Sequence, residues 1–546
     1  MYGKQWEKAI REEYDSIIKN RTWTLVPRPA NRNIVSCKWV FKHKLDENGR
    51  IIRWKARLVA RGFTQVYGMD YLDTFAPVAK MASLRILFAV AAEEDLEIQQ
   101  MDVITAFLGG NLEEEIFMEQ PEGFMIGNGD MVCLLGKSLY GLKQSARIWN
   151  IRIHRYLKAI GFTQSQSDHC VYINNTTGII LAMWVDDLII FGKDMSTIDE
   201  LKQQLRSEFE MKDLGDLKYF LGVHVTRNRQ NRQLTIDQTT YIQMLLEKFD
   251  MQNCNAVSTP FAIGTKLKQA SDGDILVDQR EYQSIVGSLM YAMLCTRPDL
   301  AFAISQLSQF NSKPTSGHYA AAKHVLRYLK GTSNLTITYG KDIMMLELYS
   351  DSDYASNEDR KSISGYIGML CGGAISWQSK KQPTVALSTT EAEYMALVQA
   401  TKESIWIQRL LRELGRTTED HKVIYGDNQG SIALANNPQY HARTKHIDIQ
   451  YHFIRECVEN GQIQLEYCPT EDMIADGLTK ALTKDKHWKL ARKMGLEEKD
   501  AKEHLSNCES GSVRGILNSS AKSSAKSSPA PFLPATPADT SDGEEP

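Results

Sequence analysis

Apolar and polar positions in this chain fall into short strand-like runs alternating with amphipathic helices. Trp6, Ala9, Ile10, Tyr14, Ile17 and Ile18 recur at helical spacing and predict a helix over residues 6–20. Residues 22–26 alternate as a strand and stop at Pro27. Between Lys38 and Arg61, eight Lys/Arg and two acids interleave with Trp39, Val40, Phe41, Ile51, Ile52, Trp54, Leu58 and Val59 on either side of Asp46-Glu47-Asn48-Gly49. That pattern predicts a hairpin with one apolar and one cationic face. The cationic face suits phosphates, and a solvated strand face is the plainer alternative. Residues 84–92 predict an apolar helix, and 96–101 a strand that delivers Asp102 ahead of Phe107 and a turn at Gly109-Gly110. Ser138 to Ser145 leads into a helix carrying Ile148, Trp149, Ile153, Tyr156 and Leu157.

Two adjacent carboxylates, Asp186 and Asp187, stand between the apolar runs 179–183 and 188–191, with Gly192 after them. Ionised carboxylates enter an apolar setting only when something offsets their desolvation, and a divalent cation does so. A hairpin with buried flanks and the acids at its tip is the simplest geometry. An isolated Asp-Asp turn is more often only a polar turn.

The second half repeats the theme. A strand over residues 346–350 ends at Asp351, two more cover 366–370 and 374–377 around Gly372-Gly373, and a fourth over 423–426 ends at Asp427. Ser388-Thr389-Thr390-Glu391 reads as a capping box, so a helix begins near Thr389 with Glu393 in its first turns. Asp476 falls in a short helix over 472–481. Asp353 and Glu391 compete with Asp351 and Glu393 for the same roles.

Composition narrows this little. Hydrophobic content of 42% and charged content of 24% are ordinary for a globular protein. A formal net charge of −3 confines any nucleic-acid binding to local patches. The nine cysteines include no C-x-x-C, which argues against a disulfide framework or structural zinc and suits a reducing compartment. No apolar run has the length of a membrane span, and the N-terminus lacks a signal-peptide core. His421, His441, His446 and His452 lack zinc spacing.

Six motifs in order carry a family resemblance: Lys38-Trp39-Val40-Phe41-Lys42; Lys55 to Phe63; Gln100-Met101-Asp102-Val103 with Thr105 to Leu108; Glu119 to Phe124; Leu139-Tyr140-Gly141-Leu142-Lys143-Gln144; and Val185-Asp186-Asp187. They resemble the copia-type reverse transcriptase of long-terminal-repeat retrotransposons. Residues 282–291 and 296–299 look like the segment that joins this polymerase to an RNase H domain, so the resemblance covers roughly residues 5 to 490. It implies an α+β and α/β multidomain chain, with a right-hand polymerase of fingers, palm and thumb followed by an RNase H-like mixed sheet. The expected segments are 1–225 for fingers and palm, 226–262 for a thumb-like part, 263–342 for a helical connection and 343–500 for RNase H.

The resemblance further implies two Mg2+ ions per site, Mn2+ being an alternative, on Asp102, Asp186, Asp187 and the Val103 carbonyl, and again on Asp351, Glu393, Asp427 and Asp476. Of the Asp pair, Asp186 would face the metals. Lys55 and Arg57 would hold the triphosphate, Phe107 would exclude a 2′-hydroxyl, and Gly141 to Gln144 would close over the new base pair. His446 could be the mobile histidine of RNase H enzymes. Implied partners are an RNA template, a DNA or tRNA primer, RNA–DNA hybrid, dNTPs and other Gag and Pol products, in cytoplasmic virus-like particles or the nucleus, with no membrane. Trp184, Ala146 and Gly109-Gly110 depart from the family's usual Tyr, Pro and Asn-Gly without removing a ligand. No protease or integrase motif is present, so the chain reads as part of a polyprotein. Residues 501–546, rich in Ser, Ala, Pro and Thr, are expected to be disordered. The competing reading is a decayed or domesticated copy that binds nucleic acid without catalysis.

Overall fold

The computed structural model describes residues 3–45, 51–104, 106–342, 344–416, 422–436 and 448–499. The turn at 46–49, Thr105, His421, His441, His446 and the 501–546 tail lie outside them. The chain is a multidomain α+β and α/β structure.

The long apolar runs beside Asp186 become the centre of a six-stranded sheet. Its order is Met211–Asp216, Glu97–Val103, Asp187–Gly192, Ile179–Trp184, Val171–Asn174 and Thr163–Gln164. Every residue from Ile179 to Met183 and from Leu188 to Gly192 is buried. The reason is that both faces are covered. Ile180, Ala182, Ile189 and Phe191 pack in the same core as the apolar helix Met81–Glu93. Ile179, Leu181, Met183, Leu188 and Ile190 pack with Trp149, Ile153 and Leu157 of Ser145–Ala159 and with Leu201 and Leu205 of Met195–Glu208.

Cys37–Leu45 and Ile51–Ala60 form the expected antiparallel hairpin. Trp39 with Leu58 and Phe41 with Ala56 share one face, and Val40 with Arg57 and Lys42 with Lys55 share the other. The apolar face meets the first helix, Gly3–Lys19, where Trp6 packs edge-on to Phe41 and Trp54 at 4.9 and 4.6 Å.

Downstream, the strands Glu347–Asp353, Ile363–Leu370 and Gly373–Lys381 make an antiparallel meander, and Val423–Gly426 and Gln464–Tyr467 add in parallel. The order, with the third strand at one edge and the first in the centre, is the mixed sheet the resemblance implies. The helix Thr389–Glu413 packs across its first two strands.

A further group of strands was not anticipated as a sheet. Tyr219–Phe220, Val223–Asn228, Gln233–Asp237, Leu335–Tyr339 and Leu496–Glu498 form one antiparallel sheet. The boundary at 225/226 falls inside its second strand. One apolar core runs from the Met81–Glu93 helix through this sheet to Ile367, Ile375 and Tyr394 of the downstream half. Arg85 crosses the same seam, fully buried. Its guanidinium donates to the carbonyls of Ile375, Leu294 and Cys295 at 2.7, 2.6 and 3.0 Å and lies 3.8 Å from the Trp377 ring. Among the described residues, no helix is long and apolar enough to cross a membrane.

Candidate active sites

Trp184 pairs with Asp187, so the acidic hairpin turns on Val185 and Asp186 alone. Val185 takes a left-handed φ of +57°, which twists the pair out of plain strand alternation. Trp149 donates its indole N–H to the Val185 carbonyl at 2.6 Å, and the Val103 N–H donates to the Asp186 carbonyl at 3.0 Å. The turn is thereby tied to a helix on one side and to the Asp102 strand on the other. Asp187 lies directly opposite Asp102 across that ladder. Burial and then Asp102 push Asp186 up, against Arg57 and Lys55, which pull it down. Burial, then Asp186 and Asp102, push Asp187 up to about 6. Both acids of the pair thus share a field with Asp102, and the choice of Asp186 alone rests on resemblance.

The cationic face reaches this cluster through Arg57, which also lies 4.5 Å from the Tyr140 ring. Tyr140 in turn meets Phe107 edge-on at 5.3 Å. Gly141 follows in a left-handed conformation, φ +90°, where a Cβ would stand 2.1 Å from the Ala60 carbonyl oxygen. A backbone that close cannot yield cheaply. Gly141→Ala should therefore cost about 1–3 kcal/mol in strain and loosen the loop from the cationic hairpin. A lowered melting temperature would register it, and a wild-type value would refute the close-approach argument.

Gln144 is 2% exposed, and both ends of its amide are used within the protein. It donates to the Asp70 carbonyl at 2.8 Å and accepts from the Gln65 side chain at 3.0 Å, which ties this loop to residues 65–70.

The second cluster follows from parallel pairing. Glu347–Ser350 runs in register with Val423–Gly426, so Asp351 and Asp427 lie side by side, Asp427 just past its strand and Asp351 within a strand that runs on to Asp353, two residues beyond the expected end. The short helix Ile474–Leu478 crosses above them and brings Asp476. One oxygen from each of Asp351, Asp427 and Asp476 lies within 4.8 Å of the others. Asp351 and Asp476 are buried, and Asp427 is half-buried. Burial raises Asp351 to about 7, with Asp476 and Asp427 adding to it and Lys480 opposing. Glu393 is pushed well up by burial and by Asp351 and Asp427. Glu391 instead accepts from the Leu387 N–H at 2.8 Å while Ser388 accepts from the Glu391 N–H, so its carboxylate serves the helix start. Asp353 sits outside the converging trio and bonds Ser356.

Converging carboxylates, half-buried in the first cluster and largely buried in the second, are the donor set a hard divalent cation satisfies, and both clusters fit one. Sequence reasoning missed Trp149, Gln100, Thr479, Lys480 and Lys486. Gln100 donates to Asp187 at 3.4 Å, and Thr479 to Asp351. Apart from Lys480, four residues after Asp476, none of these stands in a spacing that announces its partner.

Residues 20–263 match the family model described as reverse transcriptase (RNA-dependent DNA polymerase). The chain is 46% identical over 492 residues to the retrovirus-related Pol polyprotein from transposon TNT 1-94 of Nicotiana tabacum, covering 88% of this chain and 37% of that protein. It is 33% identical over 309 residues to the putative transposon Ty5-1 protein of Saccharomyces cerevisiae, covering 56% of this chain and all of that protein. The chain spans about a third of the length of the Pol polyproteins it matches. A solved structure, the foamy viral protease-reverse transcriptase in complex with RNA/DNA hybrid, aligns with a TM-score of 0.44 at 13% identity, over 86% of this chain and 54% of that one. The chain belongs to the retrotransposon reverse transcriptase (RNA-dependent DNA polymerase) family and is similar to the copia-like Pol polyproteins of plant transposons.

Proposed function

We propose that the chain copies RNA into DNA at the Asp102, Asp186 and Asp187 cluster and cleaves the RNA of RNA–DNA hybrids at the Asp351, Glu393, Asp427 and Asp476 cluster. The observation that carries the polymerase reading is the cross-strand opposition of Asp102 and Asp187, with Asp186 in the turn and the Lys55 and Arg57 charges acting on it. Divalent cations, Mg2+ or Mn2+, held there by the carboxylates and the Val103 carbonyl would offset charge on the attacking and leaving oxygens. Lys55 and Arg57 neutralise the triphosphate of a dNTP. Tyr140, fixed by Arg57, backs Phe107, whose ring fills the space a 2′-hydroxyl would need.

The hydrolytic cluster orients water toward one strand of a hybrid recognised by its shape and 2′-hydroxyls. RNA template, DNA or tRNA primer and hybrid are then the macromolecular partners, in particles shared with other Gag and Pol products. Primer extension on an RNA template with magnesium tests the reading. Extension is expected, and none from well-folded protein would favour a remnant that binds without catalysis. Phe107→Ala should reduce discrimination against ribonucleotides by about tenfold to a hundredfold, read as the ratio of rNTP to dNTP incorporation. An unchanged ratio would sink the gate.

A further inference from the structure

Asp476 carries two ammonium groups of the protein's own. Lys480 sets its Nζ 2.7 Å from Asp476 Oδ1 and 3.9 Å from Asp351 Oδ2. Lys486, from the helix Lys484–Lys493, pairs with Asp476 Oδ2. The charge of Lys480 also acts on Asp353 and Glu393, pulling both carboxyls down against their burial. One half-buried lysine therefore serves four acids. An ammonium between two buried carboxylates stands where an oxygen-bound cation would be held, and a divalent ion bound there would compete with it for the same oxygens.

The two lysines differ in how they are held. Lys486 is followed by His487, whose Nε2 lies 2.8 Å from the Tyr328 hydroxyl in a buried network, so its helix is pinned. Lys480 follows the short helix and is 36% exposed at its side chain, with solvent to swing into.

We propose that Lys480 is a positioning residue that fills the cation place between Asp351 and Asp476 and is displaced when a divalent ion binds, so that it sets the metal affinity of this cluster. Lys486 keeps the other oxygen of Asp476 in place through the exchange. The inference rests on the RNase H reading of the cluster and deepens it.

The test is Mn2+ binding to the full chain, followed by electron paramagnetic resonance without nucleic acid, in an Asp186→Asn background that weakens the upstream cluster. Lys480→Met should bind Mn2+ about tenfold more tightly than the parent, and Lys480→Arg should restore the weaker binding. Lys480→Met should also melt lower without Mn2+ and gain more from its addition. Unchanged or weaker Mn2+ binding by folded Lys480→Met overturns the proposal. Lys480→Gln, which keeps a polar end, is held to the same criterion where the Met variant does not fold. Adding Asp427→Asn should abolish the tightened binding. If the tightened binding survives Asp427→Asn, the cluster is not the metal site, and the RNase H reading falls together with the lysine's role.

Discussion

Under the proposed function, Asp186→Asn should lower primer extension by at least about a thousandfold, ~4 kcal/mol of barrier, while cleavage of the RNA strand in a hybrid should persist. Asp427→Asn should do the reverse. The basis is separation: Asp186 sits in a turn tied to Trp149 and Val103, and Asp427 ends a strand of a different sheet beside Asp351 and Asp476. Asparagine keeps the volume and loses the charge, so each substitution removes an anionic oxygen donor from one cluster only. The measurement is extension of a labelled primer and scission of a labelled hybrid on the same preparations. Loss of both activities from either change, in protein with an unaltered melting temperature, would refute two independent sites.

The largest stability effect is expected at Arg297. It is fully buried and pairs with Asp299 through two bonds, at 3.0 and 2.7 Å, while donating to the Thr332 carbonyl and hydroxyl at 2.9 and 2.8 Å. Tyr328 donates to the same Asp299 at 2.7 Å and reaches His487. Arg297 holds the Asp299 carboxyl below its ordinary range despite burial, and the proximity of Asp299 raises Arg297 in turn. Arg297→Ala strands a buried carboxylate and should cost about 3–5 kcal/mol. Arg297→Met with Asp299→Leu, which removes both charges, should recover much of that loss. Chemical denaturation of the three proteins measures it, and equal losses in the single and double variants would show that packing rather than charge sets the value.

What could be read from sequence was what local physics states twice. The runs around Asp186 are unbroken because both faces of the central hairpin are buried, and alternate residues divide between two cores. Asp351 and Asp427 stood out because each follows an apolar strand run. Glu391 and Glu393 could not be told apart, since both share a helix start, and the bond to the Leu387 N–H and the field of Asp351 and Asp427 are what separate them. The Gln144 motif gives no sign that its amide is engaged with residues 65–70. The seam sheet was invisible for another reason: Leu335–Tyr339 pairs with Gln233–Asp237 and Leu496–Glu498, both far from it in sequence. Pairings that distant leave no mark in local periodicity.

Under the proposed function that seam would act as a ruler: with Arg85 and a single apolar core joining the two halves, the spacing between nucleotide addition and strand scission would be a property of the folded frame and not of a flexible tether. Under the proposed function, a polymerase paused on its template would leave an RNA remnant of constant length behind the growing end. Inserting residues into a surface loop would not change that length, whereas loosening the seam at Arg85 would blur it.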